Sequence, residues 1–532
     1  MIWRRSLAFA AAGVIALVSV RLWQLLDAAA GHNAKVLCSA VFISGRSLEE
    51  ARAHSLRVEP PLSQVRLDRE ARIVQVTIAG LIRRRAVFAE SQGCIGLPRG
   101  LDAPEFEPVA VSSSLPPPDS LDWPMGDRVR NDPPKGIDAG RLRSAVEAAF
   151  SDPNAHTAAF LVIYRGEIVA ERYAPGIRRD TPLEGWSIGK SMAATLVGRL
   201  IQEGALRLEQ PAPIAEWQSK GDSRAAITVA DLLHMSSGLR CSFPKVLRYA
   251  GTASVSLLDL LWRGLPDHIR IYTGMRDVYR FAIHSPSEHP AGQVGRYRNS
   301  DPLVLGAIVR RTVEARGDEY LSWPQRALLD RIGIRHMVLE TDARGNFILP
   351  GLVFGAARDW GRLGLLYLSG GLWLGERLLP AEFIRFVSTP APAWEEPVYG
   401  GLFWLNRTDR VRIPQDAYWM GGDGEQRVTI VPSLELVVVR FGHIAGGTAA
   451  TATLARALEE VVAALRGARE IRREREPESR AGRHELRTLC GASARRGGMG
   501  PTGPHSRSLE TRDLAGGVRG GCCGHCAARL RL

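Results

Sequence analysis

Lysine is what this chain most nearly lacks: five, at positions 35, 135, 190, 220 and 245, stand against 64 arginines. Arginine keeps its proton in a protein, so it cannot serve as a base. A buried lysine can lose its proton, and only a neutral amine can take one from a serine hydroxyl. Each retained lysine is therefore a place to look for chemistry. Net charge is also scarce in the body of the chain. The net charge is +13, but 15 arginines and 7 acids lie from Arg466 onward, so more than half of the excess sits in the tail. The body holds no nucleic-acid motif and no internal repeat, which argues against a nucleic-acid partner. The basic low-complexity tail, 467–532, is expected to be disordered. Cysteine is thin as well. Of seven, Cys490, Cys522, Cys523 and Cys526 lie in the tail, and the surroundings of CCGHC lack the apolar content of a zinc module. No metal and no cofactor is expected. Cys38 and Cys94 bracket a segment rich in β-branched residues and are expected to form one disulfide in an oxidising compartment, with Cys241 free.

What is present starts at EGWSIGKSMAATLVGRLIQEG, where Ser187 and Lys190 open an expected amphipathic helix. Residues three apart share a helix face, so the two side chains can meet. The first turn also offers free N–H groups and the positive end of the dipole to developing negative charge. The chain repeats the spacing at Ser242 and Lys245, but Pro244 lies inside that copy, which makes a poor helix start. Read as structure alone, Ser187 would be an N-cap and Lys190 a solvated cation. Downstream, Tyr297-Arg298-Asn299 is the single Y-x-N of the chain and sits between a Pro/Gly-rich loop and an apolar helix. A phenol near a cation can be drawn towards phenolate and act as a general base; an asparagine amide can hold both a lysine and a substrate carbonyl.

On these residues the segment 138–466 resembles the serine β-lactamase and penicillin-binding-protein superfamily, in its class C-like, 6-aminohexanoate-dimer hydrolase-like branch. ITVADLLHMSSGL (Ile227 to Leu239) is similar to the family's helix and turn ending in S-G-L, and SEHPAGQVGRYRNSD to its approach to Y-S-N. FGAARDWGRLGLLYLSGGLWLGERLLP resembles a family helix pair, and YGGLFWL (Tyr399 to Leu405) a family strand. The resemblance implies an α/β (α+β) sandwich: an antiparallel sheet flanked by helices, plus a helical lobe, with the active site in the crevice between them. It implies Ser187 as nucleophile, Lys190 as base, Tyr297 as proton carrier, and Asn299 orienting Lys190 and the substrate. The third family element is a strand carrying K-T-G, H-x-G or G-x-G, here matched by Gly422-Asp423-Gly424 on the expected edge strand. The backbone N–H of Glu425 would join that of Ser187 in holding the oxyanion. The triplet has no lysine or histidine to grip a substrate carboxylate, and Asp423 would repel one. That points to neutral or cationic esters and amides.

At 532 residues, 45% hydrophobic and 23% charged, the chain exceeds one typical domain. Arg4 and Arg5 precede an apolar run from Leu7 to Val20, extended beyond Arg21 to Leu26. Residues 1–30 are thus expected to be a membrane anchor, or a signal cleaved near Ala28–Ala30. Either reading exports the rest, to the outer face of the inner membrane or to the periplasm. Residues 33–105 are expected to form a small β-rich unit, 106–137 a Pro-rich linker or belt, and 138–466 the hydrolase domain. The expected partner is a small ester or amide, cleaved through a covalent acyl-enzyme. A peptidoglycan carboxypeptidase or β-lactamase is the rival within the class, which acylation by a penicillin would favour. A catalytically silent, membrane-tethered binding protein is the rival outside it, although it would have no reason to keep serine, lysine and tyrosine together. The natural substrate and the oligomeric state are left open.

Overall fold

The computed structural model describes residues 2–130, 134, 136–240, 260–262 and 264–475. Cys241, the Ser242–Lys245 pair and the tail cysteines lie outside the described residues. Helix α1 (Ile2–Phe42) runs unbroken through the expected junction at 30–33. At 1.5 Å per residue it is about 61 Å long. Among the described residues it is the one helix long and apolar enough to cross a membrane. Its two parts have different surroundings. Val14, Ile15, Val20 and Leu22 are exposed, while Ala30, Ala34, Leu37 and Cys38 are fully buried.

The buried part of α1 packs on a four-stranded antiparallel meander, β1 (Ser63–Asp68), β2 (Ile73–Ile78), β3 (Ile82–Phe88) and β4 (Cys94–Gly96). Strand β2 shows why the sequence reads as sheet. Val74, Val76 and Ile78 are buried and alternate with half-exposed Ile73, Gln75 and Thr77, the period of a one-faced strand. A Cys38–Cys94 disulfide ties α1 to β4. Helix α2 (Leu48–Ser55) carries a Ser47/Glu50 capping box and completes the unit. The proline-rich segment that follows is pinned as a belt along the larger unit. Ser113 and Ser114 donate to Asp330, and Arg335 and Arg362 donate to the carbonyls of Pro116 and Pro124.

The larger unit begins at α3 (Ala139–Ala149), N-capped by Asp138. Its centre is a six-stranded antiparallel sheet joining both ends of the unit. The spatial order is β12 (Trp404–Leu405), β13 (Tyr418–Gly422), β14 (Gln426–Val431), β15 (Leu436–Gly442), β5 (Thr157–Tyr164), β6 (Glu167–Tyr173). Strand β5 is buried along its whole length because both faces are covered. Phe160, Val162 and Tyr164 pack under α3 and the terminal helix Gly447–Arg475; Leu161 and Ile163 face the helical side. That terminal helix runs past the boundary expected at 466. Two small sheets, β7 (Leu183–Glu184) with β8 (Met337–Leu339) and β9 (Val353–Gly355), and the hairpin β10 (Leu372–Trp373) with β11 (Glu376–Arg377), flank the helical lobe.

The two units are joined by a buried ion pair. Lys35 Nζ of α1 lies 2.6 Å from Glu340 Oε2, with both side chains essentially inaccessible. Lys35 also donates to the Cys94 carbonyl, while Glu340 Oε1 accepts from Cys94 N at 2.6 Å and Ser39 Oγ at 2.8 Å. Removing one partner leaves an uncompensated buried charge, at a cost of about 3–5 kcal/mol. Glu340→Ala is therefore expected to lower the denaturation midpoint of the detergent-solubilised protein, and the apolar double variant K35M/E340L to recover most of the loss. A Glu340→Ala protein as stable as wild type would contradict the latch.

Candidate active site

Helix α4 (Ile188–Gln202) is expected to be amphipathic; instead it is buried nearly all round, from Ile188 through Gly198. It threads between strand β13 and the helical lobe, so both faces meet protein. The turn feeding it is tight. Gly185 N donates to Val353 O, and Trp186 adopts φ +47°, a left-handed conformation that is uncommon for a bulky residue. Such strain costs on the order of 1–3 kcal/mol and persists where the surroundings over-determine it. Here Val36 of α1, Leu56 and Ile444 pack around the Trp186 indole, and Tyr272 meets it edge-on at 6.0 Å.

Ser187 follows at the head of α4, half-buried, and Lys190 Nζ donates to its Oγ at 3.0 Å. Lys190 is 1% exposed; its other recorded acceptor is the Pro350 carbonyl at 2.8 Å, and no carboxylate among the described residues forms an ion pair with it. Burial alone pushes its pKa well below the ordinary lysine value. The approach of Pro350 depends on Gly189. A Cβ there would collide with the Leu349 carbonyl oxygen, so glycine lets the 349–350 backbone lie against the helix. The glycine of S-I-G-K is a signal in the sequence that spacing arguments pass over.

Tyr297 brings its ring to 4.7 Å from Lys190 Nζ, measured to the centroid. Trp404 stacks on it at 5.4 Å and Tyr399 meets it edge-on at 5.9 Å, so the YGGLFWL segment holds the phenol in place. Behind it, Arg298 donates to the Leu239 carbonyl and Ser237 to Asp301 at 2.7 Å, which joins the S-S-G-L turn to the Y-R-N segment. The phenolate expected from a neighbouring cation is not favoured. Burial raises the phenol's pKa, and a hydrogen bond with Ser187 opposes it only in part.

Asn299 sits apart from the amine. It is 3% exposed, and its Nδ2 donates to the His268 carbonyl at 2.8 Å and the Tyr272 hydroxyl at 3.2 Å. Lys190's recorded partners are Ser187 and Pro350, so the direct contact expected between Asn299 and Lys190 is replaced by a tie to the 268–272 segment. His268 and Tyr272 carry no signal in the sequence, because their contribution depends on chain folding over long range.

The third motif is shifted. Gly422 is the last residue of β13, and Asp423, Gly424 and Glu425 form the turn into β14 rather than an edge strand. Strand β12 pairs only with Tyr418 and Trp419, which leaves Gly421 and Gly422 beyond it. A Cβ on Gly422 would collide with Gly185 O and lie 3.2 Å from Ser187 N, so this glycine allows strand and nucleophile turn to touch. Glu425 closes the turn at φ +57°, its carboxylate held by Arg427 at 2.7 Å and Thr451 at 3.0 Å. Asp423 ion-pairs with Arg57 of the smaller unit. No group of three or more metal-ligating side chains occurs among the described residues.

The Beta-lactamase family model matches residues 142–463, more than half of the chain. The chain is 28% identical over 233 residues to a 6-aminohexanoate-dimer hydrolase of Paenarthrobacter ureafaciens, covering 43% of this chain and 57% of that protein. It thus spans little more than half of that relative's length. Among solved structures, a penicillin-binding protein homologue from Caulobacter crescentus is 16% identical, with 63% of this chain and all (100%) of that chain covered at a TM-score of 0.43. A penicillin-binding protein from Bacillus halodurans is 16% identical, with 59% and 98% covered at a TM-score of 0.44.

Gly189→Ala is expected to displace the Leu349–Pro350 backbone and unseat the amine. The overpacking should cost about 1–3 kcal/mol of stability. It should also slow covalent modification of Ser187 by a fluorophosphonate at least tenfold. Wild-type labelling rates in this variant would show that the Pro350 contact is dispensable.

Proposed function

The chain belongs to the beta-lactamase family, whose members are serine hydrolases acting on amide and ester bonds, and from that premise we propose that it is a membrane-anchored hydrolase working through an acyl-enzyme on Ser187. The observation that carries this reading is the buried amine of Lys190, bonded to the serine hydroxyl and without a carboxylate partner among the described residues. Ser187 Oγ attacks the substrate carbonyl as its proton passes to Lys190 Nζ. Tyr297, kept neutral by burial, gives its proton to the departing amine or alkoxide and is re-protonated through Lys190. Water then releases the acyl group, using the same groups in reverse. The oxyanion rests on the Ser187 backbone N–H, at the head of α4, and on the backbone of the turn following Gly422. Asn299 acts at one remove, fixing the wall of the cleft through His268 and Tyr272.

Retention of the N-terminal helix as an anchor fits better than cleavage. A cut near Ala30 would strip Asp27 from Arg84 (2.8 Å) and Arg99 (2.8 Å) and open a helix whose next turns form the core of the smaller unit. The Cys38–Cys94 disulfide supports an oxidising compartment, and so a hydrolase facing the periplasm.

Ser187→Ala is expected to reduce turnover of a p-nitrophenyl ester by about 10⁴-fold or more. The pH profile has a definite sign. Lys190 must be neutral to act, so kcat/KM should fall as pH drops through its depressed pKa. It should be level above that, with no further rise as pH passes the ordinary lysine value of about 10.4. Undiminished turnover by the alanine variant, or activity that keeps climbing towards that pH, would contradict the mechanism.

A further inference from the structure

The smaller unit lies outside the segment matched by the family model, yet it reaches the nucleophile. Helix α2 ends at Ser55, and Leu56 is held in the apolar cluster of Val36, Trp186 and Ile444. The chain is thereby pinned beside the residue that precedes Ser187. The next side chain, Arg57, ion-pairs with Asp423, the residue directly after the glycine that touches the nucleophile turn. We propose that Arg57 makes the smaller unit part of the substrate site, supplying from outside the matched segment the cation that the third motif lacks, and so selecting esters and amides that carry a carboxylate near the scissile carbonyl.

The pair is built differently from the Lys35–Glu340 latch. Arg57 is 46% exposed and Asp423 31%, so the guanidinium is open to an incoming group. It has five N–H donors, of which one carboxylate engages at most two, and planar anions match the rest. An exposed ion pair is weakly held, which makes sharing or exchange with a substrate anion inexpensive. The surrounding groups do not compete. Burial lowers the pKa of Lys190 and pushes the carboxyl of Glu184, three residues before the nucleophile, up to about 8, and both shifts disfavour the charged form. Asp423, which within the Gly422-Asp423-Gly424 triplet alone would repel an acid, is neutralised by this guanidinium.

This inference rests on Ser187 marking the reacting centre, but its test does not require turnover. Adipic acid monoanilide and its neutral analogue hexananilide would be titrated calorimetrically into full-length Ser187→Ala protein in detergent. The acid amide should bind at least tenfold more tightly. R57Q should remove that preference, R57K should retain part of it, and D423N, which frees the guanidinium, should widen it. Equal affinity for the two amides, no binding of either, or an R57Q effect that weakens both alike would overturn the proposal. Failure of the nucleophile assignment would show separately, as ester turnover that survives Ser187→Ala.

Discussion

The structure turns on a buried amine with no carboxylate partner among the described residues. Lys190 is held by one hydroxyl and one carbonyl in a place where an ammonium ion would lose most of its hydration. Leaving that group in place costs stability, because the unfolded chain binds a proton that the folded chain refuses between the depressed pKa and about 10.4. Across that window stability rises with pH. A fold that maintains this arrangement needs rigid surroundings: α4 is buried nearly all round, Gly189 admits the Pro350 carbonyl, and Trp404 and Tyr399 fix the phenol. The left-handed backbone of Trp186 stores further strain at the same turn.

Those surroundings extend into the smaller unit. Glu340, the acid of the buried latch, lies on the loop whose backbone is tied by Glu340 N to Leu352 O and Ile348 N to Glu340 O, and that loop delivers Pro350 to the amine. Lys35, the Cys38–Cys94 bridge and the acceptor of Lys190 thus form one continuous set of contacts. The indole of Trp186 is packed from the same direction by Val36 and Leu56. The long N-terminal helix is therefore also a wall of the larger unit. It enters the smaller unit as an uninterrupted helix rather than through a linker.

Much of this is legible from residues close in sequence. Serine and lysine three apart at a helix start, and the single Y-x-N, carry local geometry that survives any tertiary context. The alternation in Ile73–Ile78 and the paired apolar strands around Arg165-Gly166 mark sheets for the same reason. Misreadings arise where burial or long-range contact decides. Helix α4 has the pattern of an amphipathic helix but is enclosed, because its polar face meets the lobe instead of water. The third motif reads as a strand, yet its Asp-Gly-Glu forms the turn. Arg57, His268, Tyr272 and Pro350 carry no motif at all. They matter only because separate stretches of chain converge, and one sequence does not display that convergence.

The scarcity of lysine makes the central claim directly measurable. With ¹⁵N-labelled lysine, the chain yields five side-chain nitrogen signals, and K190R identifies the one that belongs to the active site. The Lys190 signal is expected to be that of a neutral amine at neutral pH and to titrate well below the ordinary lysine value of about 10.4. If Lys190 titrates at that ordinary value, it is a solvated cation, and the account of this site as a proton-accepting centre is wrong.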